Sequence, residues 1–168
     1  MSRTTHTPVH PHPHPRALAA ALLTVLPLLI VVISWFFWRD DLAPSLTTQW
    51  DADGPSSFAP SWIVAGSMTA LTAIGAATGL GTALGRGTDL VFSRRVYVWT
   101  SVASAAVAGM WLAIAGAQIS TPPHAESAMG GQFLLSFVVA GLYGLLAFVV
   151  APRPVNVPDQ YAADRSTR

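Results

Sequence analysis

The sequence predicts an all-α membrane protein: a bundle of four transmembrane helices with both termini in the cytoplasm. Four stretches without a single charged residue support this, at residues 17–38, 62–84, 96–117 and 132–150. Each is long enough for a membrane-spanning helix, which needs roughly 20 apolar residues to cross a hydrocarbon layer of about 30 Å. Apolar residues make up 52% of the 168-residue chain and charged ones 10%, whereas a soluble protein carries about 25% charge. No sizeable soluble domain is therefore expected.

The arginines fix the predicted orientation. All nine basic residues are arginine, and eight lie in the N-terminal segment, the loop at 85–95 or the C-terminal segment. Arg39 alone falls in the other set of loops, which holds most of the acidic residues. Because cytoplasmic loops carry the excess of basic residues, the loops at 39–61 and 118–131 are predicted to face outward. Aromatic residues favour the membrane boundary, and those expected there are Trp35, Trp38 and Trp62 outside and Tyr97 and Trp99 inside.

The N-terminal segment, residues 1–16, is predicted to be a disordered cytoplasmic tail. Histidine and proline alternate at residues 9–15, a pattern typical of an extended polyproline-like chain. Side chains two apart on such a chain do not converge, so no metal site is predicted, although Zn or Ni binding stays an alternative. The first span, 17–38, is too long for the apolar part of a signal peptide and is predicted to be an uncleaved anchor.

Polar groups within the spans are few. Pro27 lies inside the first span and leaves the carbonyl of Leu23 without its usual helical donor, so a mild kink is expected. Tyr143 lies deep in the fourth span and should find a hydrogen-bond partner if it is buried. Gln118 and Gln132 lie near the predicted outer ends. The absence of charged residues and histidines from the spans weighs against a pump or an ion-coupled transporter.

The loop at 39–61 carries the candidate binding residues. Asp53 and Gly54, followed by Pro55, form a turn signal, and Trp50 is an apolar anchor that could lie on the membrane surface or on the helix ends. A compact cap is therefore predicted, with binding residues Gln49, Trp50, Asp51, Asp53 and Gly54. The start of the segment is similar to a calcium loop, but Trp62 occupies the twelfth position, where glutamate is needed. No metal is predicted here either.

This loop resembles the domain of unknown function 1648 family, known from SdpI-like bacterial immunity and signalling membrane proteins. The similarity covers roughly residues 18–65 and is carried by the segment Thr-Gln-Trp-Asp-Ala-Asp-Gly at 48–54. Trp50 and Gly54 match the family's aromatic residue and glycine. Asp51 replaces its usual asparagine, Gln49 stands where histidine is common, and Ser57 where aspartate is common. The resemblance implies a membrane protein that protects against a toxin or relays its presence.

Spans two and three carry small residues at four-residue spacing, which favours close helix packing. In span three these are Ser101, Ala105, Gly109, Ala113 and Ala117; in span two they are Ala73, Ala77, Gly81 and Gly85, besides the pair Gly75 and Gly79. Packing within one chain is predicted, and a face for oligomer formation is the alternative. Spans one and four are bulkier and are predicted to face lipid. Residues 152–168 are predicted to be a disordered cytoplasmic tail after the membrane domain at 17–151.

The predicted function is that of a small, non-enzymatic binding, sensing or immunity-type protein of the bacterial plasma membrane, acting through its outer loop. An oligomeric channel or transporter subunit is the alternative. No catalytic motif and no nucleotide-binding or metalloprotease pattern occurs in the sequence, so neither an enzyme nor a cofactor is predicted. The expected partners are membrane lipids and a membrane protein or peptide at the outer loop. A nucleic-acid partner is not expected.

Overall fold

The computed structural model describes residues 15–51, 54–85, 90–120 and 129–152. Four of its helices are long and apolar enough to cross a membrane, which confirms the prediction of four spans. A two-stranded antiparallel hairpin lies between the first two helices. The elements in chain order are α1 (Pro15–Trp38), β1 (Ser45–Asp51), β2 (Gly54–Pro60), α2 (Ser61–Leu84), α3 (Leu90–Ser120) and α4 (Met129–Val150).

The helices extend beyond the predicted apolar stretches. Helix α1 begins at Pro15, so Pro15 and Arg16 are helical rather than part of the tail; proline suits the first turn, where its missing N–H has no partner to lose. Helix α3 begins six residues before the predicted span and includes Arg94 and Arg95, because arginine is a good helix former. The histidine-rich run at residues 9–14 and the tail at 153–168 lie outside the described residues.

The hairpin is a feature that the all-α prediction did not contain. Its register pairs Ser45 with Pro60 at the base and Asp51 with Gly54 near the tip. The backbone N–H of Ser61 donates to the Pro44 carbonyl at 2.9 Å and closes the base. Gly54 has φ +116°, a backbone conformation that glycine adopts readily and other residues avoid. The turn signal at this glycine therefore corresponds to a chain reversal.

The bundle has one buried cluster near each of its two ends, and each cluster joins several elements. The larger joins the hairpin to the adjoining ends of the helices and includes Leu46, Val64, Trp111 and Ile114. The smaller surrounds Tyr97 and gathers the start of α1 and the end of α4. Only 1% of Tyr97 is exposed, since the small side chains around it leave room for the ring, and its predicted place at the membrane boundary stays a prediction.

Glycines in α2 let neighbouring helices approach closely. A Cβ added at Gly79 would lie 2.0 Å from Thr24 Oγ1 of α1, and one at Gly75 would lie 2.0 Å from Ser104 Oγ of α3. One at Gly81 would meet nothing within 4 Å. The pair Gly75 and Gly79 is therefore a packing face within the chain, as predicted, whereas the stripe that contains Gly81 faces outward.

Helices α1 and α4 are less buried within the bundle than α2 and α3. The buried share of the most apolar window is 28% for α1 and 17% for α4, against 33% for α2 and 39% for α3. The bulkier first and fourth spans are thus the less buried pair, and that they face lipid stays a prediction. The exposed side chains of α4 are mainly leucine, valine and phenylalanine, which suits a hydrocarbon surrounding.

Candidate functional site

Two leucines fasten the hairpin to the helices. Leu46 of β1 is fully buried and Leu42, just before the strand, is 8% exposed. Both belong to the cluster that contains Val64 of α2 and Trp111 of α3. The sequence reasoning missed these anchors and emphasised Trp50 instead. The available signal was that Leu42 and Leu46 are the only leucine, isoleucine or valine residues in the loop at 39–61.

Trp111 connects the helices that support the hairpin. Its ring is fully buried, and its indole Nε1–H donates to Ser34 Oγ of α1 at 2.7 Å. The Ser34 hydroxyl in turn donates to the Ile30 carbonyl at 2.6 Å. The Trp111 ring also meets Trp35 edge to face, with centroids 6.1 Å apart, an arrangement that aromatic pairs prefer. These contacts tie α3 to α1 and give the hairpin a firm support.

The predicted binding residues that the structure describes lie towards the tip of the hairpin. Gln49 is exposed and stands opposite Ser57, with a register shift on either side of it. Trp50 pairs with Pro55 and Asp51 with Gly54; Asp53 lies outside the described residues. The register thus brings Gln49, Trp50, Asp51 and Gly54 together on one short ribbon.

Phe58 adds an aromatic side chain that the sequence reasoning did not select. Phe58 lies on β2 opposite Thr47 of β1, and 61% of it is exposed. Beside it, the Thr48 hydroxyl donates to the Ser57 carbonyl at 3.3 Å and joins the two strands. Phe58 is exposed and the next residue, Ala59, is partly buried, since strand neighbours point to opposite faces; the sequence alone does not say which of the two faces the helices.

The chemistry of this ribbon suits recognition by hydrogen bonding and apolar contact. Its exposed groups include the amide of Gln49 and the ring of Phe58. Among the described residues, no three histidine, cysteine, aspartate or glutamate side chains are grouped closely enough to hold a metal ion. On α3, the Gln118 amide nitrogen is buried and has no hydrogen-bond partner within the described part of the chain.

The two ends of the bundle differ in charge. At the hairpin end, Arg39 Nε lies 3.7 Å from Asp40 Oδ1, and both side chains are well exposed. Exposed pairs of this kind add little stability. Asp41 and Asp51 lie at the same end, whereas Arg16, Arg94 and Arg95 lie at the opposite one. Among the described residues, the acidic ones thus lie at the hairpin end, and Arg39 is the one arginine there.

A hydrogen bond between α4 and α1 serves the backbone group that Pro27 leaves unpaired. The Tyr143 hydroxyl donates to the Leu23 carbonyl at 2.5 Å. Residue 27 would normally donate to this carbonyl, but proline has no N–H. Helix α1 continues through Pro27. The tyrosine thus finds the partner that its depth in the fourth span required.

Comparison with protein-family models, with curated proteins and with solved structures finds no match to this chain.

Proposed function

We propose that this chain is a multi-pass protein of the bacterial plasma membrane, with both termini cytoplasmic, that binds or senses a peptide or membrane-protein partner through its hairpin and catalyses no reaction. The observation that carries the proposal is a small hairpin that fully buried Leu46 anchors to the helices, while Gln49 and Phe58 are exposed. The resemblance of residues 48–54 to the domain of unknown function 1648 supports an immunity-type or signalling role.

The fixed hairpin favours binding for an energetic reason. A loop that must become ordered on binding loses conformational entropy, which reduces affinity, whereas a preorganised one avoids much of that loss. The hairpin is held by Leu42, Leu46 and the bond between Ser61 and Pro44. An exposed aromatic side chain on such a support is the kind of residue that contributes strongly at protein interfaces. The charge-free spans give no comparable support to ion-coupled transport.

The proposal is tested by photocross-linking in living cells from a benzoylphenylalanine placed at Phe58. The same probe at Phe36 of α1 is the matched control, because the two phenylalanines are 61% and 62% exposed while Phe36 lies on a membrane-spanning helix. A discrete protein or peptide adduct is expected from position 58 and not from position 36. Equal patterns from the two positions would contradict the proposal.

A second variant separates recognition from chance proximity. Leu46→Asp places a charge in the cluster that anchors the hairpin, so it should displace the ribbon while the probe stays at position 58. Loss of the adduct in this variant, with normal accumulation of the protein, supports recognition by the anchored hairpin. Persistence of the adduct would show that the anchored form is not what the partner recognises.

An oligomeric channel or transporter subunit is the second candidate. It is favoured by the outward position of small residues on α2: Gly66 and Gly81 have open space where a Cβ would lie. Small residues of this kind allow close contact between helices in lipid. Purified protein in liposomes would release a trapped fluorescent solute if this candidate is correct. Tight vesicles would leave the binding role as the better account.

A further inference from the structure

The end of the bundle opposite the hairpin is organised around Tyr97. This ring is buried with Ala20 and Ala21 of α1 and with Ala151, just after α4, and Ala83 of α2 packs against the same cluster. All four helices therefore meet at this level. Arg16 on α1 and Arg94 on α3 each lie about one turn before a member of the cluster.

Arg94 is held in one orientation at this end. The central carbon of its guanidinium lies 3.7 Å from the centroid of the Phe148 ring on α4. Its Nη2 donates to the Phe148 carbonyl at 3.3 Å. Stacking on an aromatic face and bonding to a carbonyl fix the plane of a guanidinium. Arg94 thus presents a preorientated cation at the junction of α3 and α4.

Phe148 faces the surroundings of the bundle rather than its interior, with 46% of the residue exposed. Helix α4 is also the least buried of the four spans. The guanidinium stacked on this ring therefore lies at the outer surface, beside the position of a neighbouring lipid. Its place near the starts of α1 and α3 and the ends of α2 and α4 corresponds to the depth of the headgroups, where arginine side chains near helix ends extend.

Among the described residues, Arg94 makes no ion pair with a carboxylate, and its contacts there are the ring and the carbonyl of Phe148. The Nε of Arg94 is buried and has no hydrogen-bond partner there. Arg95 is exposed on the following position of the helix. Charge complementarity therefore favours an anionic ligand at this surface.

We propose that Arg94, orientated by Phe148, binds the phosphate of an anionic phospholipid headgroup at the junction of α3 and α4. Arginine binds phosphate with a geometric match that lysine lacks, and basic positions between transmembrane helices are known settings for anionic headgroups. The acyl chains of such a lipid would lie along the exposed apolar surface of α4. Arg95 adds positive charge at the same end.

The test is a titration of the purified full-length protein with phosphatidylglycerol or phosphatidylcholine in detergent, followed by native mass spectrometry. Wild-type protein should bind the anionic lipid at least about fivefold more tightly, the scale expected of one basic group near a headgroup. Arg94→Gln should reduce this preference to less than about twofold. A wild-type protein without preference, or a preference that survives Arg94→Gln, would overturn the proposal.

Two controls distinguish a built site from general attraction. Arg95→Gln removes the same charge one residue away and should keep most of the preference; an equal loss in both variants would mean diffuse charge and would overturn the proposal. Phe148→Leu keeps Arg94 but removes the ring that orientates it, and it should weaken the preference while the protein stays helical by circular dichroism. Full displacement of the bound lipid by millimolar inorganic phosphate would assign the site to a soluble anion, against the lipid.

Discussion

At the residue scale, the chain pairs an irregularity in one helix with a polar side chain in another. Pro27 deprives the Leu23 carbonyl of its helical donor, and the Tyr143 hydroxyl supplies one from α4. In hydrocarbon there is no water to take that role. The tyrosine is therefore explained by the proline, and this pairing needs no role in conduction.

Replacing Tyr143 by phenylalanine should lower the free energy of unfolding by about 0.6 kcal/mol and by no more than about 1.7 kcal/mol, the range measured for such bonds in membrane proteins. Reversible unfolding by sodium dodecyl sulfate in mixed micelles measures this. In a Pro27→Ala background the residue 27 amide can serve the Leu23 carbonyl itself, so the same replacement should cost less. Equal costs in the two backgrounds would separate the tyrosine from the proline.

The contribution of Gly54 comes from its backbone conformation alone. Its φ is +116°, and an added Cβ would meet nothing within 4 Å, so Gly54→Ala should cost about 1–2 kcal/mol through conformation and not through a clash. Hydrogen exchange of the β1 amides should then accelerate about 5–30-fold. Gly66→Ala, equally uncrowded and without the positive φ, is the control and should leave hairpin exchange unchanged. Similar rates in both variants would contradict the argument.

At the scale of elements, close helix packing and exposed helix surface occur on different sides of α2. Gly79 faces Thr24 of α1 so closely that an added Cβ would lie 2.7 Å from the threonine Cβ. Rotation of the threonine about its Cα–Cβ bond does not move its own Cβ, so the helices themselves would have to separate. Gly81, two residues further on, has no such neighbour.

Gly79→Ala should destabilise the protein by about 1–3 kcal/mol, the usual cost of adding a methyl group to a packed interior. Gly81→Ala makes the same chemical change in open space and should be neutral or slightly stabilising, because alanine favours helix more than glycine does. Unfolding in mixed micelles compares the two. A cost for Gly81→Ala as large as that for Gly79→Ala would show that this side of α2 also packs tightly, against another copy of the chain or another protein.

The helices could be predicted from the sequence and the strands could not, for a physical reason. A membrane span can be recognised from some 20 residues without charge. The structure changed only the limits of the helices, since α1 begins at Pro15 and α3 at Leu90. β1 has one buried aliphatic residue, Leu46, and β2 has proline at its second and last positions, where strand propensity argues against a strand. The strands depend on pairing with each other and on burial of Leu46 by α3, contacts that lie far apart in sequence.

The candidate site was predicted in part for the same reason. Gly54 was identifiable because a local turn signal requires it, and its φ agrees. Leu42, Leu46 and Phe58 were missed because their roles depend on which side of the ribbon meets the helices. That choice is made by the register, in which Leu46 stands opposite Ala59, and no short-range pattern specifies it.

At the scale of the whole molecule, the even number of spans places the start of α1 and the end of α4 together, beside Tyr97, with the hairpin at the far end. Such an arrangement allows two orientations in a membrane. The distribution of arginines predicts one of them, with the hairpin outside.

The orientation can be tested by labelling single cysteines, since the chain contains none of its own. Ser56→Cys on the exposed side of β2 should react with a membrane-impermeant maleimide in cells whose outer envelope is permeabilised and whose plasma membrane is intact. Ser166→Cys should react only after the plasma membrane is opened. The reverse pattern would place the hairpin in the cytoplasm, and it would overturn both the orientation and a role for the hairpin in external recognition.

The burial of Leu46 against α3 also bears on how the chain assembles during synthesis. Trp111 emerges about 65 residues after Leu46, which at roughly 5–20 residues per second is a delay of about 3–13 seconds. The rest of the hairpin and α2 are made within that interval, and until α3 follows they lack its indole and aliphatic groups, which complete their shared cluster. The burial of Leu46 is therefore completed only when α3 packs against the hairpin. In a nascent chain stopped before Trp111, Leu46 would be more accessible to chaperones and proteases.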